Sequence, residues 1–213
     1  MSTVALTEAA MTDAHHGSAI REWSGPAPKR IVTGYNFWIF ILSDMVMFSA
    51  FFATYAVLLG QTAGGPTGHD LFDLRNVAIE TALLLASSFT CGMASIAADT
   101  RSTTWFQFAM AVTCAFGLGF LILEGQEFAS LVARGAGPTR SAFLSAFFTL
   151  VGCHGLHVSA GILWLLTMMA QVSAKGFRPD IQRRVLCFAL FWHALDIIWI
   201  AVFTIVYLLG NAK

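Results

Sequence analysis

The stretch Tyr35–Leu59, YNFWIFILSDMVMFSAFFATYAVLL, runs for 25 residues with a single charged side chain, Asp44. A helix needs about 20 mostly apolar residues to cross the hydrocarbon of a bilayer, so this run reads as a spanning helix. Four more stretches meet that length, at Val77–Ala97, Trp105–Val132, Ala142–Val172 and Val185–Leu209. The fold class expected is an all-α membrane protein. Its organisation is a polar tail at 1–33 followed by a five-transmembrane-helix bundle at 34–213, with spans near 35–59, 77–97, 105–132, 142–172 and 185–209.

Composition agrees. Of the 213 residues, 57% are hydrophobic and 11% charged, where soluble domains carry roughly a quarter charged residues. The 12 basic and 12 acidic residues cancel, so no overall field draws the chain to nucleic acid. Cys91, Cys114, Cys153 and Cys187 lie in apolar stretches without a C-x-x-C spacing and read as small buried hydrophobes. Met1–Arg30 holds Glu8, Asp13, His15, His16 and Glu22, which does not fit a secretory signal.

The connections are short and carry turn-forming residues: Gly64, Gly65, Pro66 and Gly68 in the first, Gly135, Gly137 and Pro138 in the third, Lys175, Gly176 and Pro179 in the fourth. Consecutive helices should therefore be antiparallel neighbours, and the long third and fourth should tilt or project beyond the hydrocarbon. Arg21, Lys29, Arg30, Arg101, Lys175, Arg178, Arg183 and Arg184 fall on one side, against Arg75, Arg134, Arg140 and Lys213 on the other. The excess marks the cytoplasmic side, which puts the N-terminus in the cytoplasm and the C-terminus in the periplasm. Trp38 and Trp105 sit near helix starts, as interfacial anchors do.

Eight ionisable residues lie within the spans: Asp44, Glu80, Glu124, Glu127, His154, His157, His193 and Asp196. No Lys or Arg is comparably deep, so the carboxylates should pair with histidine or keep their protons. Glu124 and Glu127, His154 and His157, and His193 and Asp196 are each three apart, which places both members of a pair on one helix face. If those faces meet, they form one polar seam. Three readings stay open: a metal site built from E-x-x-E, H-x-x-H and H-x-x-D, a proton or ion path, or a seam that fixes helix register and grips lipid or a neighbouring subunit. The last is favoured, and no catalytic, cofactor-binding or metal residue is assigned. Gly152, Gly155, Ser159 and Gly161 give the fourth helix a small-residue face that lets a neighbour approach; leucine at 155 or 159 should then loosen packing.

Particular motifs add a resemblance. Gly135–Trp164, GAGPTRSAFLSAFFTLVGCHGLHVSAGILW, resembles the region around the H-G-L-H motif of haem-copper oxidase subunit III, and Phe191–Trp199, FWHALDIIW, resembles that family's W-H-x-x-D-x-x-W motif. Leu42–Phe52, LSDMVMFSAFF, and Gly60–Asp73, GQTAGGPTGHDLFD, are similar to the first helix and first loop of the ubiquinol-oxidase branch. The match covers nearly everything after residue 33.

The resemblance implies a non-catalytic accessory subunit of a bacterial inner-membrane, proton-pumping ubiquinol oxidase. It would hold no haem or copper itself. Those cofactors would belong to subunit I, its main partner, with subunits II and IV in the same complex. It also implies bound phospholipid in a cleft between the first two helices and the remaining three, with Asp44 and Trp38 as candidate cleft residues. Gly34 and Ala170 stand where cytochrome c oxidase versions place lipid-binding arginines, a departure from the family pattern. A reading from another class is a free-standing membrane metalloenzyme or proton channel using the histidine and carboxylate residues.

Overall fold

The computed structural model describes residues 29–64, 74–208 and 210, and in them all five expected helices form. They are α1 (Lys29–Leu58), α2 (Leu74–Asp99), α3 (Thr103–Ala133), α4 (Ala142–Lys175) and α5 (Pro179–Val202), the last running on as a π-helical segment at Phe203–Leu208. All five are long and apolar enough to cross a membrane, and no strand occurs among the described residues. Residues 29–33, assigned above to the tail, are the first turn of α1. The rest of the tail and the Gly65–Asp73 part of the first connection, with its GGPTG run, lie outside the described residues. Residues from 34 onward form one compact unit. At 31 and 34 residues, α3 and α4 extend about 46 and 51 Å at 1.5 Å per residue, beyond a hydrocarbon layer of about 30 Å.

The helix ends follow from their residues. Gly135 and Gly176 take positive φ, 76° and 66°, a conformation that costs glycine little and ends α3 and α4. Ser141 caps α4 by accepting a hydrogen bond from the Leu144 backbone N–H at 3.2 Å. Pro179 breaks no helix: it opens α5, where its missing N–H is harmless. The fifth helix therefore starts six residues earlier than its apolar stretch, with Asp180 in its first turn paired to Arg183.

Packing centres on α5, the most enclosed of the helices. Trp192 and Trp199 are each 1% exposed and face α2, where the Trp192 Nε1–H donates to Ser87 Oγ and the Trp199 Nε1–H to Thr81 Oγ1, both at 3.0 Å. Between them, His193 Nδ1 meets Ser88 Oγ at 2.7 Å. These contacts, seven residues apart on α5 and six on α2, fix the register of an antiparallel pair in surroundings where apolar contact alone is indifferent to sliding. Elsewhere Thr90 meets Thr113 at 2.7 Å between α2 and α3, and Gln107 on α3 donates to the Met169 carbonyl of α4 at 2.8 Å.

Helix α1 is attached differently. Its inner stripe is Phe37, Ile41, Asp44, Phe48 and Tyr55, spaced by three, four or seven residues. Phe37 meets Trp164 with ring centres 5.7 Å apart, Phe48 meets His157 at 5.3 Å, and the Tyr55 hydroxyl donates to the Val206 carbonyl at 3.2 Å. Large side chains make these contacts, and the remaining faces of α1 stay open, with Val57 79% and Val46 71% exposed.

Trp199→Phe removes part of a buried ring system together with one hydrogen bond across helices, the bond being worth about 0.6–1.7 kcal/mol. Thr81 keeps its own bond to the Val77 carbonyl, so no group is orphaned. A double-mutant cycle of Trp199→Phe with Thr81→Val, read by thermal unfolding in detergent, should return that coupling; additive losses would mean the bond does not hold the pair.

Candidate functional site

The eight intramembrane ionisable residues fall in four places rather than along one line. Asp44 and His157 face each other between α1 and α4, with Oδ2 and Nε2 4.0 Å apart and both side chains partly exposed. His157 turns its Nδ1 to the Cys153 carbonyl at 2.7 Å. Asp44 thus has a partner outside its own helix, which the sequence of α1 alone could not supply.

His154, three residues back, is fully buried in an aromatic enclosure. Its ring lies 5.1 Å from Trp199, 5.8 Å from Phe120 and 6.3 Å from Phe48, centre to centre. Neither ring nitrogen has a hydrogen-bond partner among the described residues. His193 and Asp196 form a third place, both beside Ser88 of α2.

The fourth place gathers acids. Glu80 of α2 is 1% exposed and Glu124 of α3 5%, and neither carboxylate has a hydrogen-bond partner among the described residues. With Glu127 they are close enough to feel one another's charge. The Tyr207 hydroxyl, carried by the π-helical segment, donates to Glu127 Oε2 at 3.4 Å. A cavity of about 320 Å³ opens beside them, walled by Glu80, Glu127, Asn76, Gln126, Ser130 and Arg134 together with Leu123 and Leu131. Glu80, grouped above only with the other buried acids, thus joins the E-x-x-E pair of α3. Among the described residues, no group of three or more His, Cys, Asp or Glu side chains has the arrangement to hold a metal ion.

The candidate cleft residues Trp38 and Asp44 do not lie on one side of α1: six residues apart, they stand about 120° apart, and Trp38 is 44% exposed while Asp44 turns to His157. Nor do α1 and α2 separate together from the rest, because α2 packs against α3 more extensively than any other pair and also lies along α5. The sparse seam runs beside α1.

Of the small residues of α4, the position that matters is Gly161, which stands about 180° around the helix from Gly152 and about 120° from Gly155. A Cβ there would lie 2.9 Å from Trp192 Cζ3, whereas one at Gly155 would meet nothing within 4 Å and one at Gly152 would sit 3.6 Å from a Phe128 ring atom. The neighbour admitted is a tryptophan ring, and a Cβ at Gly155 meets no side chain of this protein within 4 Å. The Ser159 hydroxyl only returns to the Gly155 carbonyl of its own helix. Thr81, Ser87 and Ser88, the α2 partners of α5, escaped the sequence reading. Their signal is hydroxyl residues within an apolar helix, which is common and points to no partner by itself.

Comparison with known proteins places these residues in a family context. Residues 9–211 match the family described as cytochrome c oxidase subunit III. The chain is 51% identical over 178 residues to a Pseudomonas aeruginosa protein named cytochrome bo(3) ubiquinol oxidase subunit 3, covering 84% of this chain and 85% of that one. It is 40% identical over 202 residues to quinol oxidase subunit 3 of Bacillus subtilis, covering 94% and 98%. A cytochrome c oxidase subunit 3 from Bacillus sp. strain PS3 is 40% identical over 190 residues, covering 86% and 92%.

Proposed function

Because the chain belongs to the cytochrome c oxidase subunit III family and its relatives include ubiquinol oxidase third subunits, we propose that it is a non-catalytic accessory subunit of a bacterial haem-copper ubiquinol oxidase. It packs on the haem- and copper-bearing subunit I, beside subunits II and IV, in the cytoplasmic membrane, with its N-terminus cytoplasmic. The observation that carries the accessory role is what the motif residues do. Trp192, His193 and Trp199 of the W-H-x-x-D-x-x-W motif bond to α2. His154 of the H-G-L-H motif is sealed among rings and His157 bonds to its own helix backbone. These side chains join helices, which supports a structural part for the motifs.

The outward surface supports a life among lipid and partner subunits, with Leu156, Phe89, Leu163 and Ile96 each more than 60% exposed. Bound phospholipid is best accommodated along α1, where side-chain tips make the contacts and large apolar faces stay open.

Mild detergent extraction of a tagged chain tests this reading. The expected result is co-purification with a larger subunit carrying haem and copper, and no stoichiometric iron or copper on the chain once it is separated. Stoichiometric metal retained by the isolated chain would overturn the accessory role and favour a free-standing metalloenzyme.

A further inference from the structure

We propose that the outer side of the α2–α5 pair docks a membrane-spanning helix of another subunit, one that carries a hydroxyl or amide side chain at mid-membrane depth to bond His193 Nε2. Such docking presupposes the accessory role proposed above and gives it a face and a chemistry. His193 lies 14 residues into α5 and 15 before the end of its π-helical extension, about 21–22 Å from either end at 1.5 Å per residue. That is the middle of the span. Its Nδ1 is taken by Ser88 Oγ at 2.7 Å. Its Nε2 has no hydrogen-bond partner among the described residues and, unlike the two nitrogens of His154, is not enclosed by them. The ring is partly exposed, and Ile197 and Ile200, four and seven residues on and so on the same side of α5, are 60% and 45% exposed.

Hydrocarbon offers no water to satisfy such a nitrogen, and ionisable side chains at that depth face the bundle interior or pair with a partner. His157 shows the contrast: it too is partly exposed, but Asp44 stands 4.0 Å from its Nε2 and its Nδ1 meets the Cys153 carbonyl. Ser88 is shared between His193 and Asp196, which defines what the outer nitrogen can do. Nε2 is an acceptor if Ser88 gives its hydrogen to Asp196, and a donor if Asp196 gives one to Ser88. A hydroxyl or an amide answers either state. A lipid headgroup lies too near the surface to reach the middle of the span, and an acyl chain neither donates nor accepts. Irregular chain is not exposed to lipid at that depth, so the group that meets Nε2 belongs to a helix. There is room for one: a Cβ at Gly92, one turn along α2 from Ser88, would meet nothing within 4 Å, and a position without a side chain lets a neighbouring backbone come close.

The test places p-benzoylphenylalanine at Ile197 of the full chain in its native membrane, followed by ultraviolet light, purification of the complex and mass spectrometry of the adducts. The expected adduct joins another subunit, inside a spanning helix that holds a hydroxyl or amide side chain within about two turns of the attachment point. An adduct with lipid or quinone alone, or with a spanning helix that is apolar throughout, would overturn the proposal. Two variants add a binding readout. His193→Phe removes the outer nitrogen and should weaken retention of the subunit per haem in detergent by about 3- to 18-fold, the worth of one hydrogen bond across helices. Ser88→Ala removes only the inner bond and should leave retention unchanged. Equal losses in both would assign the effect to packing within this chain and overturn the proposal, as would full retention in His193→Phe. If neither variant assembles, the adduct decides. A native chain that brings down no other subunit would sink the accessory reading and this proposal with it, whereas subunits present with a lipid-only adduct would sink this proposal alone.

Discussion

Gly161→Leu is expected to lower the amount of this subunit recovered per haem in the purified oxidase several-fold. Its Cβ would sit 2.9 Å from Trp192 Cζ3, 3.2 Å from Cε3 and 3.3 Å from a Phe191 ring atom. The Trp192 ring is 1% exposed and pinned by its bond to Ser87, and a Cβ at Gly117 of α3 would come within 3.1 Å of its Cη2. The ring is therefore confined by both α3 and α4 and has nowhere to retreat. Overpacking a filled interior costs about 1–3 kcal/mol per modest insertion, and leucine adds four carbons where none fits. Gly155→Leu is the control, since its Cβ meets nothing within 4 Å, and it should assemble normally. Turnover per surviving complex should be little changed in both. Normal assembly of Gly161→Leu with a steep fall in chemistry would instead give this helix a part in the reaction.

His154 is the second place where a single change should matter. His154→Ala would empty a fully buried site bounded by Phe48, Phe120 and Trp199. Removing a buried ring typically costs about 3–5 kcal/mol, so the complex should lose thermal stability and shed the subunit. His154→Phe gives the opposite expectation. No hydrogen bond to either imidazole nitrogen exists among the described residues, and replacing a buried polar group that lacks a partner by an apolar one of similar shape is nearly neutral or stabilising. Thermal scans of both variants, alongside oxygen consumption, separate the possibilities. If His154→Phe assembled and held its melting temperature but lost activity, the imidazole would serve chemistry rather than packing.

The helices were legible because a bilayer sets one length and one composition, and α4 begins at the expected Ala142. The start of α5 was not, because Pro179 is compatible with either a loop or a first helical turn, and only the chain's path between Gly176 and Ile181 decides. Spacing by three groups Glu124 with Glu127 on α3, yet it says nothing about which helix faces which. That is why Glu80 joining them, and His157 meeting Asp44, required the fold. The same gap explains Gly155 and Gly161: six residues apart, they stand about 120° apart around α4, and only the fold shows that it is Gly161 whose side meets Trp192.

The concentration of interhelical bonds on α5 also sets a sequence of events in time. During synthesis the earlier helices leave the ribosome first, but Thr81, Ser87 and Ser88 acquire their α2–α5 partners only when residues 192–199 arrive, and Glu127 and Tyr55 meet the π-helical segment later still. The nascent chain can thus pair α2 with α3 and α3 with α4 early, but it lacks the α2–α5 bonds until residues 192–199 arrive. A premature stop that removed α5 would leave four helices in the membrane without their fastener, a natural substrate for membrane quality control.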